Sequence, residues 1–142
     1  MSPISDPIAE ARAAGRTAVD EHAGKHLLEK FGLHTPNSVV VPDAAGVDAA
    51  IAGLTAPFVV KVMSPDILHK SDSGGVKINL IDAAAVRDAI SAMVETPTMR
   101  DAIIDGYLIE EMAPKGQEVV IGGVLEPQFG PMIMVGLGGV FV

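Results

Sequence analysis

Between Ser38 and Met112 the hydrophobic period switches repeatedly, and that switching limits the fold more than any other feature of the chain. "SVVV" at 38–41 reads as a strand, Asp43 to Leu54 as an alanine-rich helix, and "FVVKV" at 58–62 as a second strand. "GVKINL" at 75–80 is a third. Asp82 then caps a helix whose Val86, Ile90, Met93 and Val94 share a face, and "YLIEEM" at 107–112 is a fourth strand. The order β-α-β-β-α-β predicts an α+β unit. Taken alone it also fits a ferredoxin-like sandwich, and neither architecture fixes a function.

Asp6 followed by Pro7 has the form of an N-cap with proline at the first helical position, opening a helix through about Arg16. Thr17 and Asp20 resemble a capping box for a second helix. Its Val19, Ala23, Leu27 and Phe31 repeat on one face, and Gly32 stands at C′. At the other end, "QEVVIGGVL" and "PMIMVGL" read as an antiparallel pair joined by the "EPQFGP" turn. The chain stays apolar to its last residue, whereas termini are usually polar. That predicts either a chain cut inside a folded unit or an end buried against a partner.

Composition removes several classes of function. There is no cysteine, so no disulfide framework or thiolate metal site exists, in keeping with a cytoplasmic protein. Ten basic against eighteen acidic residues give a formal charge of −8 with no basic groove, which argues against a nucleic-acid polymer as partner. No basic-then-apolar leader opens the chain, and no run reaches the ~20 apolar residues of a membrane span.

The segment "FVVKVMSPDILHKSDSGGVKINL" departs most from ordinary packing material. Lys61 ends an apolar strand, where a lysine either snorkels at the sheet edge or aims a compact charge at a phosphate. Gly74 and Gly75 would let backbone N–H groups approach the same anion without a Cβ in the way. No G-x-x-x-x-G-K-[ST] loop occurs. "GLGGVF" is not a dinucleotide fingerprint, because Phe141 stands where the third glycine is needed. Gly136 to Gly139 then read as a sharp turn between strands.

His69 lies in this loop. Metal ligation is disfavoured, since His22, His26 and His34 belong to the second helix region, and a packed neutral histidine does not suit a loop carrying Asp66, Lys70 and Asp72. On pattern alone a solvated histidine is the default, and a phosphoryl-accepting nucleophile is the sharper alternative. An imidazole with pKa near ~6.5 is substantially neutral at pH 7 and can attack phosphorus, with Asp66 or Asp72 orienting the ring and Lys61 and Lys70 offsetting charge. Further on, Glu110 and Glu111 are consecutive on a strand and must face opposite ways, so one of them points to the core or a cleft. Glu118 lies beside the next strand.

"KHLLEKFGLHTP", the His69 loop segment and "YLIEEMAPKGQEVVIGGVLEPQFGPMIMVGLGGVFV" together resemble the ATP-grasp nucleotide-binding part, or beta subunit, of NDP-forming acyl-CoA synthetases such as ADP-forming acetate:CoA ligase. The likeness runs from about Glu21 to the last residue. It implies the N-terminal part of an ATP-grasp fold: a mixed sheet with helices on one face, then antiparallel strands. Residues 1–35 would form a helical segment, 36–113 the first subdomain and 114–142 the start of the second.

The same resemblance implies a reaction that interconverts acyl-CoA, phosphate and ADP with a carboxylic acid, CoA and ATP through phosphohistidine, with His69 relaying the phosphoryl group. Lys61, Gly74 and Gly75 would hold nucleotide phosphates. Glu110, Glu111 and Met112 would flank adenine, and Glu118 would lie near the ribose or phosphates. Lys25 matches the family's K-x-L-L lysine, but it sits opposite the apolar stripe, and a solvated lysine is an equal reading. Mg²⁺ would bind through acids that follow the glycine-rich strand, beyond residue 142, so this chain would hold half an active site. A CoA-binding subunit or domain would be its partner, and the apolar C-terminal strand predicts self-association. Two alternatives stand beside this: an ATP-grasp carboxylate ligase acting through an acyl phosphate, and a non-enzymatic ferredoxin-like interaction module.

Overall fold

A computed structural model describes residues 6–67, 70 and 73–138. The chain divides into two units, Met1–Met112 and Ala113–Val142.

The first unit opens with α1 (Pro7–Ala13) and α2 (Glu21–Lys30). Asp6 caps α1 by accepting from the Ile8 and Ala9 amides. The helix stops short of Arg16 because Gly15 turns left-handed, at φ 68°. The expected capping box beginning at Thr17 does not form. Asp20 is itself the cap, in extended backbone, with its carboxylate accepting from the Ala23 amide at 2.8 Å. Gly32 takes the left-handed C′ position as predicted, at φ 79°. The apolar stripe assigned to α2 is not a core face: Val19, Ala23 and Leu27 are only half-buried and Phe31 is exposed.

The sheet comprises β1 (Ser38–Val41), β2 (Phe58–Met63), β3 (Val76–Leu80) and β4 (Gly106–Glu111). The expected helix from Asp43 is broken into a 3₁₀ turn at Ala44–Gly46, a short α3 (Val47–Ala50) and a second 3₁₀ turn at Ile51–Gly53. Gly46 and Gly53 lower the helical propensity of this short segment, and the broken path still buries Val47 and Ile51. Asp82 caps α4 (Ala83–Val94) as predicted, and α5 (Pro97–Arg100) is a short addition. Val86, Ala89, Ile90 and Met93 are the buried face of α4, while Val94 is turned to solvent.

The strand order is β1-β4-β2-β3, antiparallel at every pairing. The sheet expected to be mixed is therefore antiparallel throughout, since each helical connection skips a strand. β1 and β2 run parallel with β4 between them, and β3 and β4 run parallel with β2 between them. The first sheet face carries Val41, Phe58, Val60, Val62, Tyr107 and Ile109 and packs with Val86, Ile90 and Met93 of α4. Burying each such side chain contributes about 1.5–3 kcal/mol.

Alternation places Val59, Lys61, Leu108 and Glu110 on the opposite face. Side chains of α2 reach that face, so helices do not lie on one side alone. The second unit is a hairpin of β5 (Val119–Glu126) and β6 (Gly130–Leu137), in register from Val119↔Leu137 to Glu126↔Gly130. The Glu126 carboxylate accepts from the Gln128 and Phe129 amides and Gly130 is left-handed, which closes the predicted turn. Gly136 lies within β6, opposite Val120, and not in a turn.

Candidate functional site

Lys61 points away from the main core because Val60 and Val62 on either side point into it. Its register partner is Leu108, while Glu110 is opposite Val59, so Lys61 and Glu110 are diagonal neighbours on one face. Lys61 Nζ lies 2.5 Å from Glu110 Oε1 and 2.5 Å from Glu21 Oε1. Lys25, one helical turn after Glu21, hydrogen-bonds to Glu21 at 3.0 Å and to Glu110. Lys70, from the loop after β2, reaches the other oxygen of Glu21 at 3.2 Å.

Five side chains from a helix, two strands and a loop thus form one network. Glu110, expected from its position beside Glu111 to be one of a pair with a buried member, is that member at 3% exposure. Burial pushes the Glu21 carboxyl up, but hydrogen bonds and charge from Lys61 and Lys25 outweigh it and hold the group at about 2. Burial likewise opposes the Lys61 charge, and its bonds to Glu110 and Glu21 raise its pKa above the ordinary lysine value. Both groups are ionised at neutral pH. A cleft of about 400 Å³ adjoins the network, bordered by Glu21, Lys70, Met63 and the Arg16–Asp105 pair.

The other predicted site residues are placed differently. Gly75 does not present a free N–H, for it donates to the Lys70 carbonyl at 2.7 Å. A Cβ on Gly75 would sit 2.6 Å from Val62 Cγ1 and 3.1 Å from the Lys70 carbonyl oxygen, so packing requires the glycine. Gly74 is left-handed, at φ 74°, and open around its Cα. Glu111 faces away from Glu110, its carboxylate accepting from Thr55 N at 2.7 Å and Asn37 Nδ2 at 3.0 Å. Met112 donates its N–H to Pro57 O, and its Sδ accepts from Asn79 N.

Glu118 is exposed in the second unit, its carbonyl accepting from Gly138 N. Asp66 is committed to the Ile103 amide at 2.8 Å. His69 and Asp72 lie outside the described residues. Among the described residues no group of three or more histidine, aspartate or glutamate side chains could hold a metal ion. Sequence reasoning missed Glu21 and set Lys25 aside. The signal was the Glu-x-x-x-Lys spacing at the head of α2, which aligns the two side chains one turn apart.

A β-rich unit with a lysine–glutamate cluster on its second sheet face is consistent with what family comparison shows: residues 10–142 match the ATP-grasp domain, and the chain belongs to that family. This assignment replaces the ferredoxin-like reading of the element order. Among relatives, the chain is 43% identical to 4-hydroxybutyrate–CoA ligase (ADP-forming) of Nitrosopumilus maritimus, over 86% of this chain and 18% of that protein. It is 37% identical to the beta subunit of acetate–CoA ligase (ADP-forming) I of Pyrococcus furiosus, over 95% of this chain and 59% of the relative. The fold matches an acetyl-coenzyme A synthetase of Ca. Korarchaeum cryptofilum, solved with coenzyme A and Ca-AMPCP, at TM-score 0.85 and 37% identity, covering 94% and 59% of the two chains. The chain therefore spans less than two thirds of these relatives.

Proposed function

We propose that this chain is the nucleotide-binding part of an ADP-forming acyl-CoA synthetase. The observation that carries the proposal is the likeness to the Pyrococcus furiosus beta subunit over 95% of the chain. The lysine-rich network beside a cleft supports it, because ammonium groups make charge-assisted hydrogen bonds to phosphate oxygens. The complete enzyme would interconvert acyl-CoA, phosphate and ADP with a carboxylic acid, CoA and ATP. The CoA site would belong to a partner subunit or domain, and the location would be cytoplasmic.

In this scheme His69 receives the phosphoryl group and passes it on, its N–P bond breaking as an oxygen of ADP's terminal phosphate bonds to phosphorus. Lys61 offsets charge on the phosphates during that transfer. A related structure carries Mg-AMPPCP. Mg²⁺ would arrive with the nucleotide, held by its phosphates together with one or two carboxylates. Calorimetric titration with ADP tests the reading. Saturable binding that weakens at least about tenfold in Lys61→Met supports it. No saturable heat in either form overturns it.

A further inference from the structure

The network carries more ammonium groups than carboxylates. Lys25, Lys61 and Lys70 against Glu21 and Glu110 leave one unit of positive charge. In a chain of formal charge −8 that local excess runs against its surroundings. The two acids are also held differently. Glu110 stands in a central strand with its side chain 4% exposed, while Glu21 is the first residue of α2, 27% exposed, and borders the cleft. Glu110 is fixed in the floor, whereas Glu21, together with Lys70, is the part of the network that borders the cleft.

Glu21 alone receives all three lysines, one each from helix, strand and loop. Donors converging on one anion from three separate elements form an arrangement suited to a phosphate group, which offers more acceptor oxygens than a carboxylate. We propose that Lys25, Lys61 and Lys70 form one seat for the nucleotide's phosphates and that the Glu21 carboxylate is its resident anion, displaced when the phosphates bind. The inference deepens the nucleotide-binding reading and rests on it.

With Glu21 withdrawn, three ammonium groups face one carboxylate, an excess of two charges that the oxygens of a diphosphate offset. With Glu21 in place, the three lysines are held together without mutual repulsion, so the seat is preformed before ligand arrives. The same contact makes the open seat a minority state, which lowers apparent affinity by the fraction open.

The test titrates ADP and inorganic pyrophosphate separately into the wild-type chain and into Glu21→Gln, Lys25→Met and Lys70→Met. Glu21→Gln is expected to bind both ligands about tenfold tighter, the factor for a seat open roughly a tenth of the time. Both lysine variants are expected to bind more weakly than wild type. Unchanged or weaker binding by Glu21→Gln, with ADP still bound by wild type, overturns the resident anion and leaves the nucleotide reading standing. A gain for pyrophosphate without ADP binding supports the seat and overturns that reading, and no binding of either ligand by any form overturns both. Should Glu21→Gln fail to fold, the side-chain carboxyl ¹³C resonance of Glu21 in the wild-type chain decides: a shift on saturation with pyrophosphate supports displacement, and an unmoved resonance overturns it.

Discussion

Lys25 of α2 and Glu110 of β4 stand 85 residues apart in sequence and hydrogen-bond directly over the sheet face opposite the main core. The contact ties a helix with no fully buried residue to one of the two inner strands of the sheet. On this face polar groups perform the docking that apolar side chains perform on the other.

Removing the buried acid should show how far the fold depends on that contact. Glu110→Ala leaves Lys25 and Lys61 sharing Glu21 alone beside a buried space that has lost its acid, and the expected loss is about 3 kcal/mol. Urea unfolding of the two proteins, compared by midpoint at equal slope, measures it.

Stability should fall on the acid side because of Glu21. Its folded pKa of about 2 lies below the ordinary 4.5, so below about pH 5 the unfolded chain binds a proton that the folded chain refuses. Stabilisation by this group is complete above that pH and disappears as pH falls toward about 2. Asp105, held down by Arg16, contributes along the same limb. The Glu21→Gln variant should therefore lose less stability between about pH 5 and pH 2 than wild type, and thermal melts across that range isolate the difference. Lys61 acts at the opposite end: its raised pKa adds stability that is lost only as pH climbs beyond the ordinary 10.5.

Gly75→Ala tests the packing origin of that glycine. A Cβ 2.6 Å from Val62 Cγ1 forces a shift in a fully buried neighbour, at an expected cost of about 1–3 kcal/mol. Combining it with Val62→Ala relieves the closest clash. The double variant should be less destabilised than the sum of the two single ones, by at least about 0.5 kcal/mol in a double-mutant cycle.

Asp20→Ala removes the N-cap of the helix that carries Glu21 and Lys25. A loss of about 1 kcal/mol is expected. Amide hydrogen exchange should accelerate in α2 while β2 and β4 keep their protection, which separates local fraying from global unfolding.

Much of this architecture was legible in local patterns. The four strands, the Asp6 and Asp82 caps and the closing hairpin follow from short-range alternation and turn chemistry, which act within a few residues. The strand order did not follow, because it depends on which segments meet after the chain has folded back. Glu110 was readable as one of two opposed acids, and Lys61 as a lone charge on an apolar strand, although it lies within β2 and not at its end. Lys25 was not, since the apolar stripe on α2 looked like its buried side, and the sheet instead met its charged side through Glu21 and Lys25. Gly75 was readable as a required glycine for the wrong reason: its hydrogen is committed to Lys70, and Val62 is what excludes a side chain.

The strand order also fixes a sequence of events during synthesis. β4 is the last strand of the first unit to leave the ribosome, yet it fills the gap between β1 and β2, which share no direct pairing. Until residue 111 has emerged, β1 has no neighbour and β2 has only β3, so closure of this sheet waits on its latest segment and bears the loop-closure entropy of distant pairing. Glu110 arrives with that strand. The floor acid of the lysine cluster is therefore delivered by the same step that completes the sheet, and a nascent chain has no way to offer the cluster before it has a fold.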